Sequence, residues 1–273
     1  MLPGGTDTGF ELTRGSAPLL ISVPHDGRQI PDNIRDSMTP AGRSIPDTDW
    51  DVARLYRPAL GLGAGMLVAR WSRYVVDLNR NPDGSALYPG ASETGVCPTS
   101  TFARAPIYQD GREPGSDQIE ERVQSYWQPY HDALERELQR LRNRHGYALL
   151  WDAHSIRSRV PRFFQGELPD YNLGTADGAS CPAPVTEALA AVVPASRSVV
   201  INGRFKGGHI TRHYGRPAKR VLAVQLELSQ STYLDPADPQ HWNGERAAQA
   251  RDVITRMLST YLRSGGDWMR SGA

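Results

Sequence analysis

The 273-residue sequence is poor in cysteine and in net charge, and each of these two shortages excludes a class of protein. Cys97 and Cys181 are the only cysteines, which are too few for a zinc–thiolate cluster or a disulfide framework, so we expect free thiols in a reducing compartment. The 31 Lys and Arg residues balance 30 Asp and Glu residues, so the chain has no broad surface field that would attract nucleic acid. Because 39% of the residues are hydrophobic, the composition is that of a folded globular chain.

Long apolar runs are also missing. No stretch approaches the ~20 apolar residues that a membrane span requires. Met1–Asp7 contains neither a basic nor an apolar region, so it does not resemble a secretory signal. We therefore expect a cytoplasmic protein that binds neither membrane nor nucleic acid and that is a monomer or a small homo-oligomer. No break in composition marks a boundary, which favours a single domain over residues 1–273.

Apolar runs and helical periodicity alternate along the chain. Two Gly-, Pro- and Ser-rich segments, Asn81–Gly115 and Ser155–Ser180, show no period and are predicted to be long loops. Buried strands are predicted at Ala17–Val23, Gly65–Ala69, Tyr74–Leu78, Tyr147–Trp151, Ser198–Asn202 and Val221–Leu228. Helices are predicted at Asp49–Leu60, Asp117–His145 (kinked or divided at Pro129), Pro184–Val193 and Gly244–Arg263. This alternation is typical of an α/β protein whose sheet is covered on both faces.

Polar residues lie at the ends of four predicted strands: His25, the Asn79-Arg80 pair, Asp152 with His154, and Glu227. Ligands of open α/β sheets bind outside the carboxyl ends of the strands, so we expect these groups to converge on one crevice. Two histidines in such positions indicate either metal ligands or loop histidines bonded to the backbone. A catalytic zinc ion usually takes three protein ligands and a water molecule. Asp47 and Asp49 are candidates for the third ligand, and helix capping is their alternative role.

Two other polar residues, Glu227 and Arg80, can each be interpreted in two ways. Glu227 in an apolar strand is either a general base or a carboxylate that faces water or pairs with an arginine. Arg80 either binds a substrate carboxylate or pairs with Asp77 or Asp83. The Gly-rich segment Gly203–Arg212 favours binding of a small anion, since no phosphate-loop motif is present.

Covalent catalysis is a weak alternative. Cys97 and Ser155 lie in no nucleophile-elbow motif, and the proximity of Ser155 to His154 in sequence does not define a triad.

Six segments, in order between about Leu19 and Tyr233, resemble the N-formylglutamate amidohydrolase family. They are Leu20–Gly27, Asp47–Trp50, Ser72–Arg80, Asp152–Arg157, Asn202–Arg212 and Gln225–Leu228. The resemblance implies hydrolysis of N-formyl-L-glutamate to formate and glutamate, the last step of one bacterial route of histidine degradation. It also implies a three-layer α/β/α fold with a central mixed, largely parallel sheet, similar to that of zinc carboxypeptidases.

The resemblance further implies a set of site residues. Zn²⁺ or another divalent metal would be held by His25, Asp49 and His154, with Asp47 or Asp26 as the alternative acidic ligand. The family relation to carboxypeptidases would place a Glu three residues after His25, but the sequence has Arg28 there. Glu227 would be the catalytic base and Arg157 or Arg73 would stabilise the oxyanion. The substrate-binding residues would be Arg73, Asn79, Arg80, Asn202, Arg204 and Arg212.

Two other functions remain open at this point. One is a zinc-dependent deacylase or carboxypeptidase that acts on another N-acyl amino acid. The other is a carboxylate-binding module that has the fold without the chemistry.

Overall fold

A computed structural model describes residues 9–87, 93–238 and 240–272. The segment Met1–Asp7, which the sequence predicts is not a secretory signal, lies outside the described residues, as do residues 88–92 of the predicted loop Asn81–Gly115. The strands are β1 (Phe10–Thr13), β2 (Leu19–Val23), β3 (Gly65–Ala69), β4 (Ala148–Ile156), β5 (Tyr171–Gly174), β6 (Val199–Ile201) and β7 (Val221–Ser229). They form one sheet in the order β1-β3-β2-β4-β7-β5-β6.

The centre of this sheet is parallel. Strands β3, β2, β4 and β7 run in the same direction, β1 is antiparallel to β3, and β5 is antiparallel to β7. Strand β6 pairs with β5 in parallel. The mixed, largely parallel sheet of the prediction is therefore confirmed.

Helices cover both faces. They are α1 (Asp32–Arg35), α2 (Pro40–Arg43), α3 (Val52–Tyr56), α4 (Ser116–Arg122), α5 (Gln128–His145), α6 (Ala183–Ala190), α7 (His209–Tyr214), α8 (Gly244–Thr260) and α9 (Gly266–Ser271). Successive side chains of β4 point to opposite faces, so Leu149 and Trp151 pack with α3 and α8, whereas Leu150 packs with α5. Burying each such side chain contributes roughly 1.5–3 kcal/mol, which explains why apolar runs form the central strands.

The long helical segment before β4 is interrupted next to its proline. A π-helical turn, Val123–Trp127, joins α4 to α5, and Pro129 lies in the first turn of α5. Proline lacks an N–H group and its ring clashes with the carbonyl four residues earlier, so the regular hydrogen-bond ladder cannot continue through it. Gly146 ends α5 with a φ of +80°, a conformation that favours glycine.

Several predictions of secondary structure were wrong. Tyr74–Leu78 is buried, but it forms turns rather than a strand, with Val75 N–H donating to the Ser72 carbonyl. Strand β5 lies inside the predicted loop Ser155–Ser180, and α7 begins inside the segment Gly203–Arg212 that was interpreted as a Gly-rich loop. In the part of the chain that the structure describes, no helix is long and apolar enough to cross a bilayer.

Candidate metal centre and substrate pocket

Three side chains that the sequence proposes as metal ligands lie together at the carboxyl end of the sheet. His25 follows β2, His154 lies within the adjacent parallel strand β4, and Asp49 precedes α3. One ligand atom from each of the three lies within 4.8 Å of the others. The Asp49 loop is fixed to both strands, since Asp49 N–H donates to the His25 carbonyl and Ser155 N–H donates to Asp49 Oδ2 at 3.0 Å.

Both imidazole rings are turned the same way. The Nδ1 atoms of His25 and His154 lie 3.8 and 3.1 Å from Asp49 Oδ2. On the opposite side, His25 Nε2 hydrogen bonds to Asp77 Oδ1 at 2.8 Å, and His154 Nε2 lies 3.0 Å from Asp152 Oδ1. Histidines that bind metals typically present their second nitrogen to a carboxylate in this way, because it fixes the tautomer and the ring orientation.

The charges around this group also fit a bound cation. Asp49, Asp77, Asp152 and Glu227 are all buried. Arg73 contacts two of these carboxylates, with Nη2 2.7 Å from Asp77 Oδ2 and Nη1 3.6 Å from Asp49 Oδ1. Burying several carboxylates is costly unless positive charge balances them. Two imidazole nitrogens and one carboxylate oxygen are a donor set that suits a catalytic divalent metal, so the residues present fit such an ion.

Glu227 lies beside the metal-ligand group. In the parallel pairing of β4 with β7, Glu227 is the register partner of His154. Burial raises the pKa of Glu227 to about 8. Gln225 Nε2 donates to Glu227 Oε2 at 3.1 Å, while Gln225 Oε1 accepts from Gly208 N–H at 2.7 Å. A carboxyl group that titrates near neutral pH can both accept and return a proton during a reaction.

These groups line a small pocket with a cavity volume of about 60 Å³. At roughly 10–15 Å³ per water molecule, this volume holds about four to six waters, so the pocket suits a small molecule rather than a polymer. Arg80 and Arg204 line it together with Arg73. Arg80 Nε donates to the Thr94 carbonyl at 2.9 Å, and Arg204 Nε donates to the Phe163 carbonyl at 2.6 Å.

Three predicted site residues lie outside this pocket. Arg157 is exposed and hydrogen bonds to the Pro46 carbonyl at 3.4 Å. Asn202 exchanges hydrogen bonds with Thr175, and Arg212 Nε donates to the Gly207 carbonyl at 2.8 Å.

Asn79 does line the pocket, but its amide is held by the protein. Asn79 Oδ1 accepts from Ile210 N–H at 2.8 Å and Nδ2 donates to Asp152 Oδ2 at 3.2 Å. The predicted pairing of Asn79 with a substrate carboxylate stays a prediction.

The two alternative acidic ligands have other partners. Asp26 accepts from the N–H groups of Asp51 and Ala53 at the start of α3. Asp47 accepts from the Tyr74 hydroxyl and from Phe102 N–H. The structure therefore brings Asp49, and neither alternative, to the two histidines.

Part of the pocket lining was not predicted from the sequence. Ile156 and Gln225 lie in β4 and β7. The other such residues lie on irregular segments: Glu93, Phe102, Phe163 and Phe205. Aromatic residues in a loop without periodicity give no signal that distinguishes a pocket wall from ordinary packing.

Known proteins resemble this chain over most of its length. The sequence profile of one family, described as N-formylglutamate amidohydrolase, matches residues 17–234. An N-formylglutamate deformylase of Pseudomonas putida is 47% identical over 256 residues, which are 93% of this chain and 96% of that protein. One from Pseudomonas aeruginosa is 47% identical over 261 residues, covering 95% and 98%.

Two solved structures share the fold. An N-formylglutamate amidohydrolase from Ralstonia eutropha JMP134 superposes with a TM-score of 0.78 at 24% identity, covering 97% of this chain and all of that one. A gene product of Agrobacterium tumefaciens superposes with a TM-score of 0.67 at 17% identity, covering 92% and 95%. At these identities the two structures support the fold alone.

Proposed function

The chain belongs to the N-formylglutamate amidohydrolase family, and we propose that it hydrolyses N-formyl-L-glutamate to formate and L-glutamate. The observation that carries the proposal is the grouping of His25, Asp49 and His154 beside Glu227 in one small pocket. The 47% identity to two deformylases supports the same substrate. In the reaction, the hydroxyl of water joins the formyl carbon, the C–N bond breaks, and the amine nitrogen gains a proton.

We assign His25, Asp49 and His154 as the ligands of a divalent metal, and we propose Zn²⁺ because two imidazoles and a carboxylate suit it. When bound, such an ion supplies Lewis acidity to the formyl carbonyl. Asp77 and Asp152 lie beside the Nε2 atoms of the two rings, and each Nδ1 atom is on the side of Asp49.

Glu227 is the proposed general base and then the general acid. It accepts a proton from the attacking water as the new C–O bond forms and the carbonyl electron pair moves onto oxygen. When that pair returns and the C–N bond breaks, Glu227 gives a proton to the departing amine nitrogen. The hydrogen bond from Gln225 fixes one carboxylate oxygen during both transfers.

Positive charge around the pocket suits the rest of the substrate. Arg73, which contacts Asp49, is the proposed partner of the negative charge that develops on the carbonyl oxygen. Arg157 is less suited to this role because it is exposed and bonded elsewhere. Arg80 and Arg204 are the proposed partners of the two substrate carboxylates, since both line the pocket.

Release of L-glutamate from a panel of its N-acyl and N-formimino derivatives tests the proposed function. The purified protein, reconstituted with Zn²⁺, is offered the N-formyl, N-acetyl, N-formimino and N-succinyl derivatives of L-glutamate. We expect the highest kcat/KM for the formyl compound, with Glu227→Gln as the inactive control. Preference for another acyl group would assign a different deacylase activity, and hydrolysis of none of them would contradict the proposal.

A further inference from the structure

One wall of the pocket is aromatic, and one of its rings lies against Arg73, which approaches the metal-ligand group. The Arg73 guanidinium carbon lies 4.9 Å from the centroid of the Phe102 ring, and Arg73 Nη1 lies 3.6 Å from Asp49 Oδ1. Phe102 also meets Phe163 edge to face, with centroids 4.9 Å apart. Phe102 is thus connected to the metal-ligand group through a single side chain, Arg73.

The position of Phe102 is fixed by a buried acid. Asp47 Oδ2 accepts from Phe102 N–H at 2.8 Å and from the hydroxyl of Tyr74. Asp47 is 8% exposed, and Tyr74 is 1% exposed. The backbone that carries the ring is therefore tied to a buried part of the protein, although the ring itself is only half-buried.

The arginines of the pocket have separate contacts. Arg80 is bonded to the Thr94 carbonyl, and Arg204 is bonded to the Phe163 carbonyl with its guanidinium carbon 5.9 Å from the Phe163 ring centroid. Arg73, the proposed partner of the formyl oxygen, lies against Phe102 instead. A substrate whose formyl oxygen pairs with Arg73 would therefore place its acyl carbon near the ring of Phe102.

We propose that Phe102, held in place by Asp47, is a specificity-determining residue that limits the acyl group of the substrate to a single carbon. This inference rests on the proposed function. An acetyl group differs from formyl by one methyl group, and one carbon in a packed pocket changes kcat/KM by roughly 10- to 200-fold. The ring contributes no chemistry, so its role is to occupy the space that a larger acyl group would need.

The test compares the ratio of kcat/KM for N-acetyl- to that for N-formyl-L-glutamate in the wild type, Phe102→Ala and Phe164→Ala. Phe164 belongs to the same aromatic cluster and meets Phe205 at 6.1 Å, but it does not line the pocket, so it is the matched control. We expect the ratio to rise about tenfold or more in Phe102→Ala and to change less than about twofold in the control. A general loss of activity cancels in the ratio. Phe102→Leu keeps apolar bulk and should give an intermediate ratio, which covers the case in which the alanine variant does not fold.

The second variant is Asp47→Ala. We expect the ratio to move in the same direction as in Phe102→Ala, with unchanged metal content. Loss of metal would instead assign Asp47 to the ligand group and overturn its positioning role. A wild type that releases formate, together with an unchanged ratio in Phe102→Ala, overturns the inference alone. A wild type that releases no formate from N-formylglutamate overturns both this inference and the proposed function.

Discussion

Replacing Glu227 by glutamine should separate activity from stability. Glutamine has nearly the same shape as glutamate, and its amide oxygen can still accept the hydrogen bond that Gln225 Nε2 donates to Glu227 Oε2 at 3.1 Å. The variant should therefore fold and keep the metal-ligand group intact, but it cannot accept a proton from water.

The expected loss of activity follows from that missing proton transfer. General acid–base catalysis contributes about 10²- to 10⁴-fold, so kcat should fall by that factor, which is about 3–5.5 kcal/mol of activation free energy. KM should change little, because the side chain is not proposed to bind the substrate carboxylates.

In contrast to activity, the stability of the metal-free protein at pH 8 should increase in Glu227→Gln. Burial raises the pKa of Glu227 from 4.5 to about 8, so between these pH values the folded metal-free protein keeps a proton that the unfolded chain releases. The free energy of unfolding therefore falls as pH rises from about 4.5 to about 8. At about 1.4 kcal/mol per pH unit, the loss is at most about 5 kcal/mol. Glutamine carries no charge at any of these pH values, so metal-free Glu227→Gln should be more stable than the wild type at pH 8 and similar to it near pH 4.5.

Two assays check this prediction. Steady-state formate release gives kcat and KM, and urea denaturation of chelator-treated protein at pH 5 and pH 8 gives the free energy of unfolding. Near-normal turnover would remove Glu227 from the mechanism. An equal difference in stability at both pH values would refute the argument that burial holds this carboxyl protonated.

Three further outcomes are expected. Arg80→Ala and Arg204→Ala should each lower kcat/KM for N-formylglutamate about 10- to 150-fold, because each substitution removes a charge-assisted hydrogen bond to the substrate. With N-formylglutamine, which lacks the side-chain carboxylate, replacing the arginine that binds this carboxylate should change kcat/KM little. Asp77→Asn should weaken metal binding about 10- to 100-fold in a titration, because Asp77 orients His25. Burial lowers the pKa of His131 from 6.5 to about 3, so the free energy of unfolding should fall by about 1.4 kcal/mol per pH unit as pH drops through this range, and His131→Gln should flatten that dependence in urea titrations.

Each of these outcomes has a matched control. Asp83→Asn changes an exposed acid near Asp77 in sequence and should leave metal binding unchanged, while His241→Gln changes an exposed histidine and should leave the acid dependence of stability unchanged. Equal loss of kcat/KM for N-formylglutamate and N-formylglutamine in both arginine variants would reject the assignment of either arginine to the side-chain carboxylate.

The parallel core of the sheet could be predicted because its strands begin with apolar runs. In β2 and β4 both faces are buried, so nearly every residue is hydrophobic until the polar residues near the carboxyl end. Tyr74–Leu78 has the same composition and is equally buried, but it packs as turns, because burial alone does not specify backbone pairing. Strand β5 has four residues and includes Asn172 and Gly174, so it carries neither an apolar run nor an alternation.

The centre of the site was predictable for a related reason. Strand ends that lie close in the sheet bring His25 and His154 together although 128 residues separate them. The surrounding loops were not predictable, since Arg157 and Arg212 have the same side chain as Arg80 and only the folded path of each loop decides which arginine faces the pocket. Asp47 and Asp49 could not be distinguished as metal ligands from the sequence either, because only the folded protein shows that Asp47 accepts hydrogen bonds from Tyr74 and Phe102.

Metal content and formate release, measured together, show whether His25, Asp49 and His154 hold a catalytic metal ion. The wild type, His154→Ala and the exposed-site control His241→Ala are dialysed against Zn²⁺, and bound metal and hydrolysis of N-formyl-L-glutamate are measured on the same samples. We expect a single tightly bound metal ion per chain and rapid formate release in the wild type and the control, and loss of both in His154→Ala. A folded His154→Ala variant that keeps its metal would contradict the ligand assignment, and one that releases formate at the wild-type rate without metal would contradict metal-dependent hydrolysis.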